Sequence, residues 1–233
     1  MNNVSAFIPA RGGSVRVPNK NLEVVGGCSL LARKIVQLKQ AGILTIYVGS
    51  DSQDILVEAE RFGATPILRD IDACDERKSS ANDMIRDFLA RANAEHVLWT
   101  HCTNPFIYSD IYKKAVDLYF HAINEGFDSI ISVTKIKSHM WSKHGFPLNY
   151  NPYAEKHTLA KDLDPVYFQD GGFFMQPYLN AIENSYFFGR RPYLFVVDSI
   201  NGFDINTPNE LEIAKKLSNC MDEFMCFDIN YNK

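Results

Sequence analysis

The densest chemistry in the chain lies between Arg11 and Lys20. Gly12, Gly13 and Ser14 separate Arg11 from Arg16, and Lys20 follows. Paired glycines reach backbone conformations closed to other residues and let a ligand approach the main chain. Successive amides in such a turn can form a nest for an anion. Arg11, Arg16 and Lys20 add cationic donors beside the Ser14 hydroxyl. The segment before them, VSAFIP, has strand character. Loops that leave strands lie at the edge where α/β sheets bind ligands. The combination reads as a polyphosphate cradle. Neither GxxxxGK[ST] nor GxGxxG is present. The plainer alternative, which Gly-Gly alone would favour, is a basic surface turn.

The elements that must position this loop alternate along the chain. SLLARKIVQLKQAG reads as a helix ended by Gly42, LTIYVGSD as a strand, and SQDILVEAERFG as a helix with Ser52 as N-cap and Gly63 as stop. TPILR, HVLWTHC and DSIISVTKI read as strands; SSANDMIRDFLARANA and SDIYKKAVDLYFHAINEG read as helices. After Lys135 the texture turns polar, aromatic and rich in turn formers. A loop of this length is functional or carries a hairpin of its own. The pattern then returns as VYFQDGGFFMQ, PYLNAIENS, PYLFVVDS and a closing helix, PNELEIAKKLSN. Thr207, Pro208 and Glu210 supply that helix with a capping box. The alternation predicts an α/β fold, a mostly parallel sheet with helices on both faces.

Composition bounds the partners. A chain of 233 residues with 46% hydrophobic content supports one substantial domain. A net charge of -4 with both signs interspersed gives no footprint for nucleic acid. No apolar run is long enough to span a membrane, and the N-terminus has no signal-peptide pattern. Five scattered cysteines, Cys28, Cys74, Cys102, Cys220 and Cys226, lack CxxC spacing and fit reduced thiols in the cytoplasm. Cys102 reads as a buried, inert thiol.

The stretch IPARGGSVRVPNKN resembles the signature of the cytidylyltransferases that make CMP-activated sugars. These are the CMP-sialic acid synthetases and their CMP-KDO relatives, with a pattern close to I-P-A-R-x-G-S-K-x-x-P-x-K-N. YVGSDSQDILVEAERFGA, HCTNPF, DGGFFM and FDINTPNELEIA resemble further family landmarks in the same order. The resemblance runs from about residue 4 to residue 217. It implies a Rossmann-like nucleotidyltransferase domain over 1–233, with 137–164 as a protruding arm that helps build a homodimer and covers the partner's acceptor site. It also implies transfer of CMP from CTP to an anionic small-molecule acceptor, with Mg²⁺ as cofactor and pyrophosphate released.

The resemblance also implies roles. Ala10, Arg11, Gly12, Gly13, Ser14, Lys20, Asn21 and Asp51 would hold CTP, with Arg69 and Ser80 at the cytosine and ribose. Arg11, Arg16, Lys20 and Asp204 would carry the chemistry. Asp204 and Asn206 would bind the metal, because Mg²⁺ prefers hard oxygen donors. His101, Thr103, Asn104, Lys143, Lys161, Gln169, Asp170 and Gly171 would face the acceptor. Plainer readings stand beside these: a strand-end turn for Asp204, a surface ion pair for Arg69, and a backbone hydrogen bond for His101.

Departures from the family pattern bear on activity. Val15 replaces a lysine, with Arg16 next door. Asn206 replaces the second metal aspartate, with Asp198 as a nearby carboxylate. The acceptor-side arginines of the sialic-acid enzymes are missing, while Lys and His residues crowd the arm. The leading expectation is a nonulosonic, sialic-acid-like sugar acid as acceptor. The alternatives are a phosphonate or small phosphorylated acceptor, and a nucleotide-binding protein with impaired catalysis. A nucleotide-sugar glycosyltransferase is disfavoured, because it needs no triphosphate cradle.

Overall fold

The computed structural model describes residues 3–14, 16–74 and 78–221; Val15 and Cys226 lie outside them. Strand β1 (Val4–Pro9) leads through the glycine loop to a two-stranded hairpin, β2 (Val24–Val25) and β3 (Cys28–Ser29), and helix α1 (Leu30–Gln40). Next come β4 (Thr45–Ser50), α2 (Gln53–Arg61), β5 (Thr65–Leu68), α3 (Ile71–Cys74) and α4 (Ala81–Leu89). The second half holds β6 (His96–Thr100), α5 (Ser109–Asn124), β7 (Ser129–Ile136), β8 (Val166–Pro177), α6 (Tyr178–Asn184), β9 (Pro192–Val197) and α7 (Pro208–Met221). The β2–β3 hairpin and the single turn α3 are too short to leave a periodic signal, and the sequence did not announce them.

Seven strands form one sheet in the order β5-β4-β1-β6-β8-β7-β9. Alternate residues of a strand point to opposite faces, and β1 shows why both faces need helices. Ala6 and Ile8 join the core under α1, α2, α5 and α7, whereas Phe7 joins the core under α4 and α6. Trp99 and Phe88 pack edge to face in that second core, with centroids 5.6 Å apart.

Local signals set the helix ends. The Ser29 hydroxyl accepts from Ala32 N at 3.0 Å. Ser80 and Asp83 form a reciprocal capping box, and the expected Thr207–Glu210 box forms at α7. Ser52 stands at the α2 N-cap, but its side chain makes no capping bond. Gly42 and Gly63 take positive φ just past their helices.

The strand alternation broke at β8, which runs antiparallel to both β6 and β7. Parallel strands need a crossover, usually a helix. Between β7 and β8 the chain has only the irregular 137–164 segment, with a short 3-10 turn at Ala160–Asp162 and an isolated bridge from Trp141 to Pro147. The chain therefore returns alongside β7 in the opposite sense. The register slips between Ile131 and Val133, opposite the DGGF stretch, where Gly171 has φ +76. That bulge brings the backbone of β8 against the loop after β6.

Candidate functional site

The parallel strands β1, β4, β5 and β6 all end on one edge of the sheet. Their loops surround a cavity of about 450 Å³. Arg11, Ser14, Arg16, Lys20 and Asn21 supply one wall, and Arg69, Ser80 and Met84 another. His101, Cys102 and Thr103 close it beneath β6. The topology thus brings the cationic loop to the ligand edge of the sheet, as the sequence predicted.

The glycine loop is held from behind. Gly12 N donates to Asp51 Oδ1 at 2.8 Å, and Asn21 Nδ2 donates to the Arg11 carbonyl at 3.1 Å. A Cβ on Gly12 would sit 2.7 Å from Ser52 Cβ, so the close approach of this loop to the start of α2 requires glycine. A Cβ on Gly13 would meet nothing within 4 Å. Ala10 is buried, and its amide donates to Gly49 O. Gly12 N is bound to Asp51, and Ser14 N to Gly12 O at 3.1 Å, so these two amides are engaged within the protein. Asp51 supports the loop from outside the cavity wall.

Lys20 Nζ donates to Ile205 O at 2.8 Å. Burial pushes its ammonium below the ordinary lysine value; Asp204 opposes that, and Arg16 and Arg11 reinforce it. Arg16 donates to Asn206 Oδ1 at 3.0 Å, and Asn206 Nδ2 donates to Asp204 Oδ2 at 2.6 Å. Asp204 Oδ1 is buried with no hydrogen-bond partner. An orphaned carboxylate oxygen beside a cationic cavity fits Mg²⁺, which is commonly held by one or two carboxylates together with substrate phosphates. Asn206 instead turns its amide oxygen toward Arg16. Among the described residues no cluster of three or more His, Cys, Asp or Glu side chains could hold a metal by itself. Asp198 closes a turn, accepting from Ile200 N and Asn201 N at 2.9 Å each.

Arg69 takes the ion-pair geometry, but buried rather than on the surface. Nε meets Asp87 Oδ2 at 3.2 Å, an Nη donates to Met84 O, and the guanidinium lies over Phe88 at 5.4 Å. Ser80 combines its helix cap with a place on the cavity wall. His101 makes the backbone bond: Nδ1 meets Gly171 O at 2.9 Å, while Trp99 Nε1 donates to Nε2 at 3.3 Å. Nε2 accepts, so Nδ1 carries the proton, and the ring is neutral with both nitrogens engaged. Burial lowers its pKa despite the opposing pull of Gly171 O. Cys102 is buried, and burial pushes its thiol up to about 12, which keeps it protonated.

The acceptor set divides. Thr103 lines the cavity. Asn104 is fully buried and does not line it; Nδ2 donates to Asp170 O at 2.9 Å. Asp170 faces inward, accepting from Ser132 at 2.5 Å, Gly172 N at 3.0 Å and Thr134 at 3.1 Å. These two residues brace the β8 bulge, because a buried polar group needs internal partners. Gly171 meets the site through its carbonyl. Gln169, Lys143 and Lys161 are exposed and do not line the cavity.

Sequence reasoning missed the buried polar face of α1. Arg33, Lys34 and Gln37 are 0% exposed, although a helix normally turns such residues to water. Arg33 Nε and Gln37 Nε2 donate to Pro105 O at 2.9 and 2.7 Å. Lys34 Nζ donates to Asn104 O and Tyr112 Oη, both at 2.9 Å. No period in α1 marks this, because the helix is enclosed almost all round.

Burial lowers the Lys34 ammonium from 10.5 to about 7. The unfolded chain therefore keeps that proton more readily, and stability rises with pH from about 7 toward the ordinary lysine value. Between roughly pH 7 and 8.5 the wild type is expected to gain about 1 to 2 kcal/mol relative to Lys34→Met. Urea unfolding at both pH values checks this; equal pH slopes in the two proteins would refute it.

A family model described as Cytidylyltransferase matches residues 5–225. A pseudaminic acid cytidylyltransferase of Campylobacter jejuni is 30% identical over 223 residues, 91% of this chain and 94% of the relative. A CMP-N,N'-diacetyllegionaminic acid synthase of Legionella pneumophila is 28% identical over 229 residues, 92% of this chain and 95% of the relative. A solved CMP:2-keto-3-deoxy-manno-octonic acid synthetase, complexed with CTP, shares the fold. Its TM-score is 0.67 at 16% identity, covering 94% of this chain and 99% of that one.

Proposed function

The chain belongs to the cytidylyltransferase family, and from that premise we propose that it transfers CMP from CTP to a nonulosonic, sialic-acid-like sugar acid, releasing pyrophosphate. The observation that carries the reading is the cavity itself. It sets Arg11, Arg16 and Lys20 around a space large enough for a nucleotide, beside the lone Asp204 oxygen. The two relatives reported above are named for nonulosonic acids and match nearly end to end, which favours that acceptor class over a phosphonate.

In the reaction an acceptor oxygen forms a bond to the α-phosphorus, and the bond to the bridging oxygen of pyrophosphate breaks. Arg11 and Lys20 neutralise the triphosphate, and Arg16 lines the same cavity. Asp204 Oδ1 would hold Mg²⁺, which when bound draws off negative charge that builds on the phosphates. Thr103 and the neutral His101 ring line the cavity floor, and the engaged His101 nitrogens leave that ring no free site for a proton. The proposal includes a homodimer formed through the 137–164 arm, where Trp141, Phe146, Leu148 and Tyr153 are 54 to 92% exposed. It also includes a cytoplasmic location. Cys74, Cys102 and Cys220 are free thiols, and no helix among the described residues is long and apolar enough to cross a membrane.

Thermal unfolding with CTP, UTP, ATP and GTP, each with and without Mg²⁺, tests the donor. A ligand that binds only the folded state at a hundred times its Kd adds about 2.7 kcal/mol of stability. CTP with Mg²⁺ is expected to raise Tm by several degrees and the other nucleotides by less. Light scattering on the same sample reads the dimer. Equal shifts with all four nucleotides would remove the cytidine reading, and a monomer would remove the arm's role. Pyrophosphate release across a panel of nonulosonic acids and phosphonates then separates the acceptor classes.

A further inference from the structure

We propose that Lys34, remote from the cavity wall, is a positioning residue of the reaction, holding the 101–105 loop and, through it, the Asp204 segment against the cationic cradle. The assignment rests on the cytidylyltransferase reading of this cavity.

The connections are contiguous. Lys34 Nζ donates to Asn104 O. One residue earlier, Thr103 lines the cavity, and its carbonyl accepts from Ile205 N at 2.9 Å. Ile205 O in turn accepts from Lys20 Nζ, and Asp204 is its neighbour. Lys34 thereby ties α1 to the segment carrying Asp204, on the opposite side of the loop from the cradle. Its second bond, to Tyr112 Oη, continues to Thr100 at 2.8 Å and then to Gly172 O at 2.7 Å, which fixes Lys34 against β6 and the β8 bulge.

A buried ammonium is a costly way to fill a helix face. Apolar residues of similar volume at such positions are often neutral or stabilising. Both hydrogen bonds of Lys34 go to neutral oxygens, so no ion pair offsets its desolvation. What the side chain provides is a long, directed donor that reaches the Asn104 carbonyl from beneath. Arg33 and Gln37 grip the next carbonyl, Pro105 O, from the same helix. Three buried donors converge on two consecutive carbonyls of one loop. A loop that needed only to be covered would not require them.

Lys34→Met is the test, with Tyr112→Phe as its control. Misplacement of reacting groups by about 1 Å can cost on the order of a hundredfold in rate. Lys34→Met is expected to lower kcat by roughly that factor while the CTP Kd stays within about threefold, because the Arg11–Gly12 part of the cradle is held by Asn21 and Asp51 and only Lys20 bonds to Ile205. Amide exchange at Ile205 should speed up, while exchange at Ala10, which bonds to β4, should not. Tyr112→Phe leaves the Asn104 bond intact and should keep kcat within about threefold. A folded Lys34→Met with wild-type kcat overturns the proposal. So does an equal loss of kcat in Tyr112→Phe. Should Lys34→Met fail to fold, Gln37→Met unhooks the same loop one carbonyl on. A kcat loss of about fivefold with faster Ile205 exchange then supports the proposal, and no change in either overturns it. If the wild type turns over none of the nonulosonic acids, the acceptor reading fails alone. Ile205 exchange still decides for or against Lys34.

Discussion

Replacing Asp204 by alanine is expected to lower turnover by about a thousandfold or more while Tm changes by only a few degrees. The expectation follows from the two oxygens of the carboxylate. Oδ2 is tied to the Asn206 amide, and Oδ1 is buried with nothing to bond. A buried acceptor left unsatisfied destabilises a fold, so its removal relieves a cost while it loses one hydrogen bond. Catalysis fares differently, because among the described residues this is the buried carboxylate oxygen left without a partner, and a hard cation needs such a donor. Asp204→Asn sharpens the test. It keeps an oxygen donor without charge and should fall between wild type and alanine in the Mg²⁺ concentration that half-saturates activity. Full activity in Asp204→Ala would place the metal elsewhere or remove it from the reaction.

Lys20→Ala is expected to weaken CTP binding by roughly 10- to 100-fold, the size of one lost charge-assisted hydrogen bond. In the structure Lys20 bonds only to a backbone carbonyl, and burial already disfavours its charge. A phosphate arriving in the cavity adds negative charge to that of Asp204 and gives the Lys20 ammonium a charged partner. Arg11→Ala should weaken CTP in the same direction, since its guanidinium lines the same wall. Unchanged affinity in both variants would sink the cradle, and a fall in affinity for all four nucleotides alike would show that the loop reads phosphate and not the base.

The basic loop at the sheet edge was legible in the sequence because every part of it is local. VSAFIP forms β1, and the next residues carry the cations to the sheet edge within one loop. Asp204 was legible only through its resemblance to a family motif; nothing in its neighbours distinguishes it from a turn residue. Helices α2, α4, α5 and α7 were legible because an amphipathic period repeats along them, and α1 because its apolar residues run up to the Gly42 stop. The direction of β8 was not. It depends on the absence of a crossover helix from a segment whose own pattern says only that it is irregular.

What the sequence by itself determined is the order of elements, the basic loop and the family to which they point. The tertiary structure decided which polar residues face the ligand and which hold the frame. Asp51, Asn104 and Asp170 carry side chains suited to a ligand, but they bond inward to Gly12, the β8 backbone and Ser132. Arg33 and Lys34 are charged residues of a kind that helices normally turn to water, yet they lie beneath the loop that closes the cavity. The physical reason is the same in each case. A buried donor or acceptor must find an internal partner. That partner lies tens of residues away in the chain, where no local pattern can name it.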